Sequence, residues 1–325
     1  MKTLLNILIV LLIGLLLYIL LYPQYQESKV QTVKMGIDGS LASLVIFFAE
    51  EKAFLKEQKL IPEYIFLDSP EEIYSQLLDQ KIDFAILPWS TVLKRVVASG
   101  ETVKAFISLN LRTGIPVDAI FTHPNSKITS LKGLKGKKFG LPPGFLDLVQ
   151  VILTENQTSP KDLILSEIPE KEIVQKLKNG ELDCALVLEP YRTQLKKEGM
   201  VVLLDGPLPK TFLAPFPGYA YVLNPLLLKE KRKVAVRLKI ATDMAISLLD
   251  KEPQNARAVL IKRWGLDPEL AADFNLPEVE KLAGINKPQI QAYLLNLAER
   301  GIINRAGIEE LKAENLLCAP IDLQP

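Results

Sequence analysis

At 325 residues the chain exceeds a typical single core and suits about two domains. A hydrophobic fraction of 48% with 24% charged residues excludes a disordered chain. Lys plus Arg number 39 against 38 Asp plus Glu, a net charge of +1, so no long-range field gathers a polyanion and a nucleic-acid role is disfavoured.

The first stretch, MKTLLNILIVLLIGLLLYILLYPQYQ, carries no charge from Leu4 to Tyr22. As a helix it would span close to the ~30 Å hydrocarbon core, so residues 1–23 are read as a membrane anchor. Lys2 lies before it, while Glu27 and Lys29 nearly cancel after it, which keeps the N-terminus cytoplasmic and exports the remainder. A cleaved signal peptide is the competing reading, but the apolar run is long and LLYPQYQES lacks a small-residue cleavage site. A short polar stem, residues 24–31, would follow.

From residue 32 short β-type runs alternate with helical periods. Strands are predicted over 32–37, 63–67 and 83–87, with helices near 41–57, 70–79 and 90–99. The pattern returns with strands at 137–141, 163–168 and 183–188 and helices near 145–156 and 169–178. IDFAILPWS at 82–90 and LDCALVLEPY at 182–191 then become one strand and turn at equivalent places in two similar α/β units. Extended runs at 103–112, 116–123 and 215–225 suggest an outward and a return crossing. The expected organisation is one lobe from 32–118 plus 222–325, with 119–221 inserted as a second. Helices are predicted from about 226 to the end.

Ligands of open α/β sheets sit beyond the carboxyl ends of the strands. The loops after the first and third strands of each unit offer Asp38, Gly39 and Ser40, then Trp89 and Ser90, then Gly144, then Glu189 and Tyr191. Backbone amides at the helix starts after Gly39 and Gly144 would be ready donors. Each candidate has a plainer role beside the functional one. Asp38 could cap a helix, Trp89 could be core, and Glu189 could brace a hinge. Arg112 at the outward crossing could clamp an anion, although an ion pair across the hinge is the simpler use. Tyr219 and Tyr221 alternate, so at most one faces the cleft. His123 is the single histidine, which excludes any site needing two, and no nucleophile elbow, HExxH or P-loop occurs, so no catalytic residue, metal or cofactor is assigned. Cys184 and Cys318 are read as free thiols.

Four stretches in order, FFAEEKAFLKEQKLIPEYIFL, KIDFAILP, LKGLKGKKFGLPPG and GELDCALVLEPY, resemble the solute-binding proteins of ABC transporters. The similarity is to the nitrate, sulfonate and taurine type, which includes thiamine-precursor binders, and it covers nearly all of residues 32–320. It implies a two-lobed type II periplasmic-binding fold that closes on a small solute and presents it to a permease and its ATPase. Ala53 and Lys59 depart from the glycines usual there, and Phe145 replaces a hydroxyl residue that many anion binders carry. Asp38 and Glu189 with Trp89 and Tyr191 favour a small polar, cationic or heteroaromatic molecule, with a sulfonate or nitrate held by Arg112 as the alternative. A ligand sensor, or an enzyme on the same fold, is the further alternative.

Overall fold

The computed structural model describes residues 6, 9, 11–19, 29–100, 103–308 and 311–324. The expected anchor over 4–22 lies partly outside the described residues; within it residues 11–19 are helical and exposed. Among the described residues no helix is long and apolar enough to cross a membrane.

In chain order the strands are β1 (Gln31–Ile37), β2 (Leu60–Phe66), β3 (Phe84–Pro88), β4 (Lys104–Leu111), β5 (Asp118–Thr122), β6 (Lys138–Leu141), β7 (Ile164–Glu167), β8 (Cys184–Leu188), β9 (Val201–Asp205), β10 (Phe216–Leu223) and β11 (Glu278–Lys281). They form a six-stranded sheet, β11-β4-β10-β3-β1-β2, and a five-stranded sheet, β7-β6-β8-β5-β9. Both are mixed and flanked by helices. β1 pairs in parallel with β2 and β3, and β6 with β7 and β8. β10 runs antiparallel to β3 and β4, and β5 antiparallel to β8 and β9. Each sheet thus receives an antiparallel strand from a chain crossing, β5 on the way out and β10 on the way back, and β11 adds a second antiparallel strand at the edge of the first sheet. β10 hydrogen-bonds into the first sheet along its length, with six of its residues lying before position 222, where the sequence pattern sets the return.

The repeat seen in the sequence has a common structural job. Asp83 accepts from the Lys34 amide at 3.0 Å through Oδ2, and Asp183 accepts from the Lys138 amide at 2.8 Å. Each Asp amide in turn donates to the carbonyl of that lysine, so each carboxylate locks the third strand of its unit to the first. Gly36 and Gly140 lie under Ile82 and Leu182, where an added Cβ would come within 2.4 and 2.5 Å of a side-chain methyl. Duplication therefore extends to packing, with the residue before each Asp filling the space over a glycine.

Two differences from the sequence expectation have local causes. The helix expected over 41–57 breaks into Leu44–Glu51 and Phe54–Glu57, because Ala53 has φ of 61°. β11 interrupts the helical C-terminal region; its sequence, EVEK, is half-buried and has no apolar alternation to announce a strand.

Candidate functional site

A cavity of about 340 Å³ opens between the two sheets, beyond the carboxyl ends of their parallel strands. Asp38, Gly39 and Ser40 follow β1, Asp68 follows β2, Pro142 and Pro143 follow β6, and Glu170 follows β7. Tyr191, at the start of the helix after β8, and Tyr219 of β10 complete the part legible from the strand pattern. Phe47, Phe66 and Trp264, with Arg263 beside them, form an aromatic wall.

The loop after β1 is preset by its own bonds. Asp38 Oδ1 accepts from the Ser40 amide at 2.9 Å, and Gly39 takes φ of 74°, a conformation that costs glycine little. The Trp264 indole N–H donates to the Gly39 carbonyl at 2.9 Å, tying this loop to the helix Gln254–Trp264. Phe47 meets Trp264 edge-on with centroids 5.4 Å apart, and the Arg263 guanidinium lies 4.6 Å from the Phe47 centroid. Arg263 also pairs with Glu50, which accepts from the Tyr64 hydroxyl at 2.9 Å, so its charge is already engaged beside the cavity.

The electrostatics are acidic. Burial pushes the Asp38 carboxyl above its ordinary range, against the pull of the Ser40 amide. Burial likewise pushes Glu170 up to about 8, with the charges of Asp38 and Glu189 adding to the shift and the Leu188 amide opposing it. That amide donates to Glu170 Oε1 at 2.9 Å, while Oε2 is buried without a hydrogen-bond partner. Tyr219 is held far above its usual value by burial and then by the same two carboxyls. The lining therefore combines carboxyls, one of which, Glu170, keeps an unpartnered buried oxygen, with flat aromatic faces.

Of the residues singled out in the sequence, Asp38, Gly39, Ser40, Tyr191 and Tyr219 line this cavity together. The others lie elsewhere. Trp89 is fully buried and donates to Ser108 Oγ at 3.0 Å, because its aromatic body packs within the first sheet's core and satisfies its N–H there. Ser90 is buried beside it. Arg112 is exposed and donates through Nε to Glu278 Oε2 at 2.6 Å, bracing β4 against β11. The Gly144 amide donates to Glu167 Oε1 at 2.7 Å, so it is not a free donor; a Cβ there would lie 3.0 Å from Pro70, which marks close approach of the two lobes. Glu189 is fully buried, accepting from Thr193 Oγ1 at 2.8 Å and the Thr193 amide at 3.1 Å, with Arg192 at 3.3 Å. It lines only a narrow recess of about 20 Å³ behind Tyr219. Tyr221 points into the core and donates to the Ala42 carbonyl, leaving Tyr219 as the strand's cleft residue.

Sequence reasoning missed Glu170 and Trp264. Glu170 sits in PEKE, which reads as a solvated helix start, yet it follows a strand exit, and inspecting the second loop of each unit as well would have found it. Trp264 comes from a helix remote in sequence, and no local pattern places it against Gly39.

Two α/β lobes with a ligand-sized cavity at the strand ends between them define a binding-protein fold. The chain belongs to the NMT1/THI5-like family, whose pattern it matches over residues 41–256. It is similar to a putative aliphatic sulfonates-binding protein of Bacillus subtilis (strain 168), 26% identical over 188 residues, 55% of each chain. The chain thus spans just over half the length of that relative. Its fold resembles the alkanesulfonate-binding protein SsuA from Xanthomonas axonopodis pv. citri bound to MOPS, with TM-score 0.69, 15% identity, and coverage of 90% of this chain and 99% of that one. It also resembles the periplasmic nitrate-binding protein NrtA from Synechocystis PCC 6803, with TM-score 0.64, 17% identity, and coverage of 91% of both. The resemblance to the nitrate- and sulfonate-type solute-binding proteins read from the sequence therefore stands.

Proposed function

We propose that this protein is the extracytoplasmic solute-binding component of an ABC importer, capturing a small amine or nitrogen heteroaromatic between its lobes. It delivers that solute to a permease driven by an ATPase. Residues 4–22 tether it to the membrane with the lobes outside, a reading supported by the uncharged apolar run and the helical 11–19. It binds and does not catalyse, consistent with a site that offers carboxyls and aromatic faces but no nucleophile paired with a base.

The observation that carries the ligand class is the lining itself. Asp38, Asp68 and Glu170 supply carboxyls, while Phe66, Tyr191 and Trp264 supply faces on which a flat ring can stack. A thiamine-pyrimidine-like solute has both the ring and the amino group this arrangement accommodates. A sulfonate or nitrate is the second reading, favoured by the name of the Bacillus relative and by Lys171 at the cavity rim. Against it, an oxyanion would meet three carboxyls, and buried Phe145 stands where a hydroxyl donor is usual.

A thermal-shift screen separates the readings. A ligand specific to the folded protein adds about 2.7 kcal/mol at a hundredfold excess over its Kd. Aminopyrimidines and aryl amines should raise the midpoint while alkanesulfonates and nitrate leave it unchanged. The opposite pattern establishes the anion binder, and turnover of any compound overturns both.

A further inference from the structure

We infer that Glu170 is the specificity-determining residue of the cleft, exchanging its proton for the ligand's cationic nitrogen, so that capture releases about one proton per ligand. This rests on the cation reading above and adds to it the residue that selects the charge and the way pH governs uptake.

The geometry that carries it is a mismatch in hydrogen bonding. Glu170 Oε1 accepts from the Leu188 amide at 2.9 Å, and Oε2 is buried with no partner. A buried carboxylate normally collects two or three donors or a cation. Around Glu170 the opposing elements offer the reverse. Asp38 stands after β1, Asp68 after β2 and Glu189 at the end of β8, and the neighbouring phenols, Tyr191 and Tyr219, do not donate to Oε2. Of the cavity's two cations, Arg263 is engaged by Glu50 and stacks on Phe47, and Lys171 is exposed beside Glu170 on the same helix. With no cation at its buried oxygen Glu170 keeps its proton, in keeping with a pKa of about 8.

The exchange balances simply. The neutral Glu170 carboxyl loses its proton to solvent, no covalent bond to the ligand forms, and the carboxylate then accepts from the ligand's N–H with Asp38 on the facing lobe. Affinity for a permanently charged ligand should rise about tenfold per pH unit while the free site is protonated, and level off above its pKa. A neutral hydrogen-bonding ligand would show no such slope. The recess behind Tyr219, which Glu170 shares with Ser40 and Glu189, is too small for a ring, so the ring stays in the larger cavity with its nitrogen toward Glu170.

The test uses the full chain and benzamidine, an aryl amidinium that stays charged from about pH 6 to about pH 9. Calorimetry in two buffers of different ionisation enthalpy counts protons directly, and benzenesulfonate serves as the anionic counterpart. Expected are close to one proton released near pH 6.5, almost none near pH 9, and loss of the slope in Glu170→Gln. Asp38→Asn should weaken binding yet keep the proton release. Benzamidine binding with no proton release overturns the role of Glu170 and leaves the cation reading intact. Binding of benzenesulfonate with none of benzamidine overturns both. The proton count on the unmodified protein decides the matter even if Glu170→Gln does not fold.

Discussion

Ala53 and Lys59 hold φ of 61° and 56°, the left-handed region where a Cβ crowds the backbone. Both are exposed, so neither side chain gains packing that offsets the conformation. These are positions where the family resemblance read from the sequence implies glycine, and the backbone takes a turn that glycine favours. Ala53→Gly and Lys59→Gly should each raise stability by up to about 1 kcal/mol, read as a shift in urea midpoint at unchanged slope. A drop in midpoint would mean that entropy lost by the unfolded glycine outweighs the relief. At the same scale Glu189 and Glu170 divide their labour. Glu189 is satisfied by Thr193 and Arg192, and Arg192 keeps bidentate bonds to Asp205 at 2.9 Å. Glu189→Ala should therefore cost stability, about 1–3 kcal/mol, with ligand affinity nearly unchanged in the folded fraction. Glu170→Gln should do the reverse, and equal loss of affinity in both would return Glu189 to the binding surface.

The element scale is where the duplicated unit acts. Asp183 has a lowered pKa: burial alone would raise it, but the Lys138 amide and the Lys137 ammonium at 3.1 Å outweigh that. Because the folded value lies below the unfolded one, the stabilisation is present above about pH 4 and is lost as pH falls through the folded value. Asp183→Asn should thus flatten the acid limb of a stability-against-pH curve, and Asp183→Ala should cost about 1 kcal/mol at neutral pH through the unpaired Lys138 amide. Over the partner glycine, Gly140→Ala should cost about 1–3 kcal/mol, and pairing it with Leu182→Val should recover part of that by removing the crowding methyl; strict additivity in the cycle would sink the packing account. Strands and helices of this unit were legible because apolar runs bounded by Asp and Pro mark parallel strands, and the helix expected near 90–99 runs from Trp89 to Ser99, ended by Gly100 with φ of 70°. What stayed illegible depended on contacts distant in sequence. Trp89 looked like a cleft aromatic because its true partner, Ser108, lies across the sheet. Glu170 reads as solvated because the Leu188 amide it accepts from and the Asp38 and Tyr219 groups beside it come from elements distant in sequence.

At the scale of the whole molecule, the lobes meet through ion pairs as well as through the cavity. Lys94 pairs with Asp147, Arg300 with Glu155, and Lys197 with Asp273 at 2.7 Å, each joining an element of one lobe to an element of the other. All three sit at partly exposed positions, where a pair contributes about 0–1 kcal/mol and is screened by salt. Their sum is small against a ligand's binding energy but comparable to the few kcal/mol that separate open and closed states of such a clamp. In the binding role proposed above, these pairs bias the ligand-free protein toward closure and so lower the binding energy the ligand spends on closing it. Neutralising them together in Asp147→Asn/Glu155→Gln/Asp273→Asn should enlarge the ligand-free radius of gyration in solution scattering and weaken ligand binding about tenfold. Saturating ligand should restore the compact form, since the cavity contacts remain. Salt raised to about 0.5 M should reproduce the expansion in the unmodified protein and add little in the triple variant. If instead the triple variant is as compact as the unmodified protein without ligand, closure rests on the apolar approach of Gly144 to Pro70, and Gly144→Ala becomes the substitution that opens the clamp.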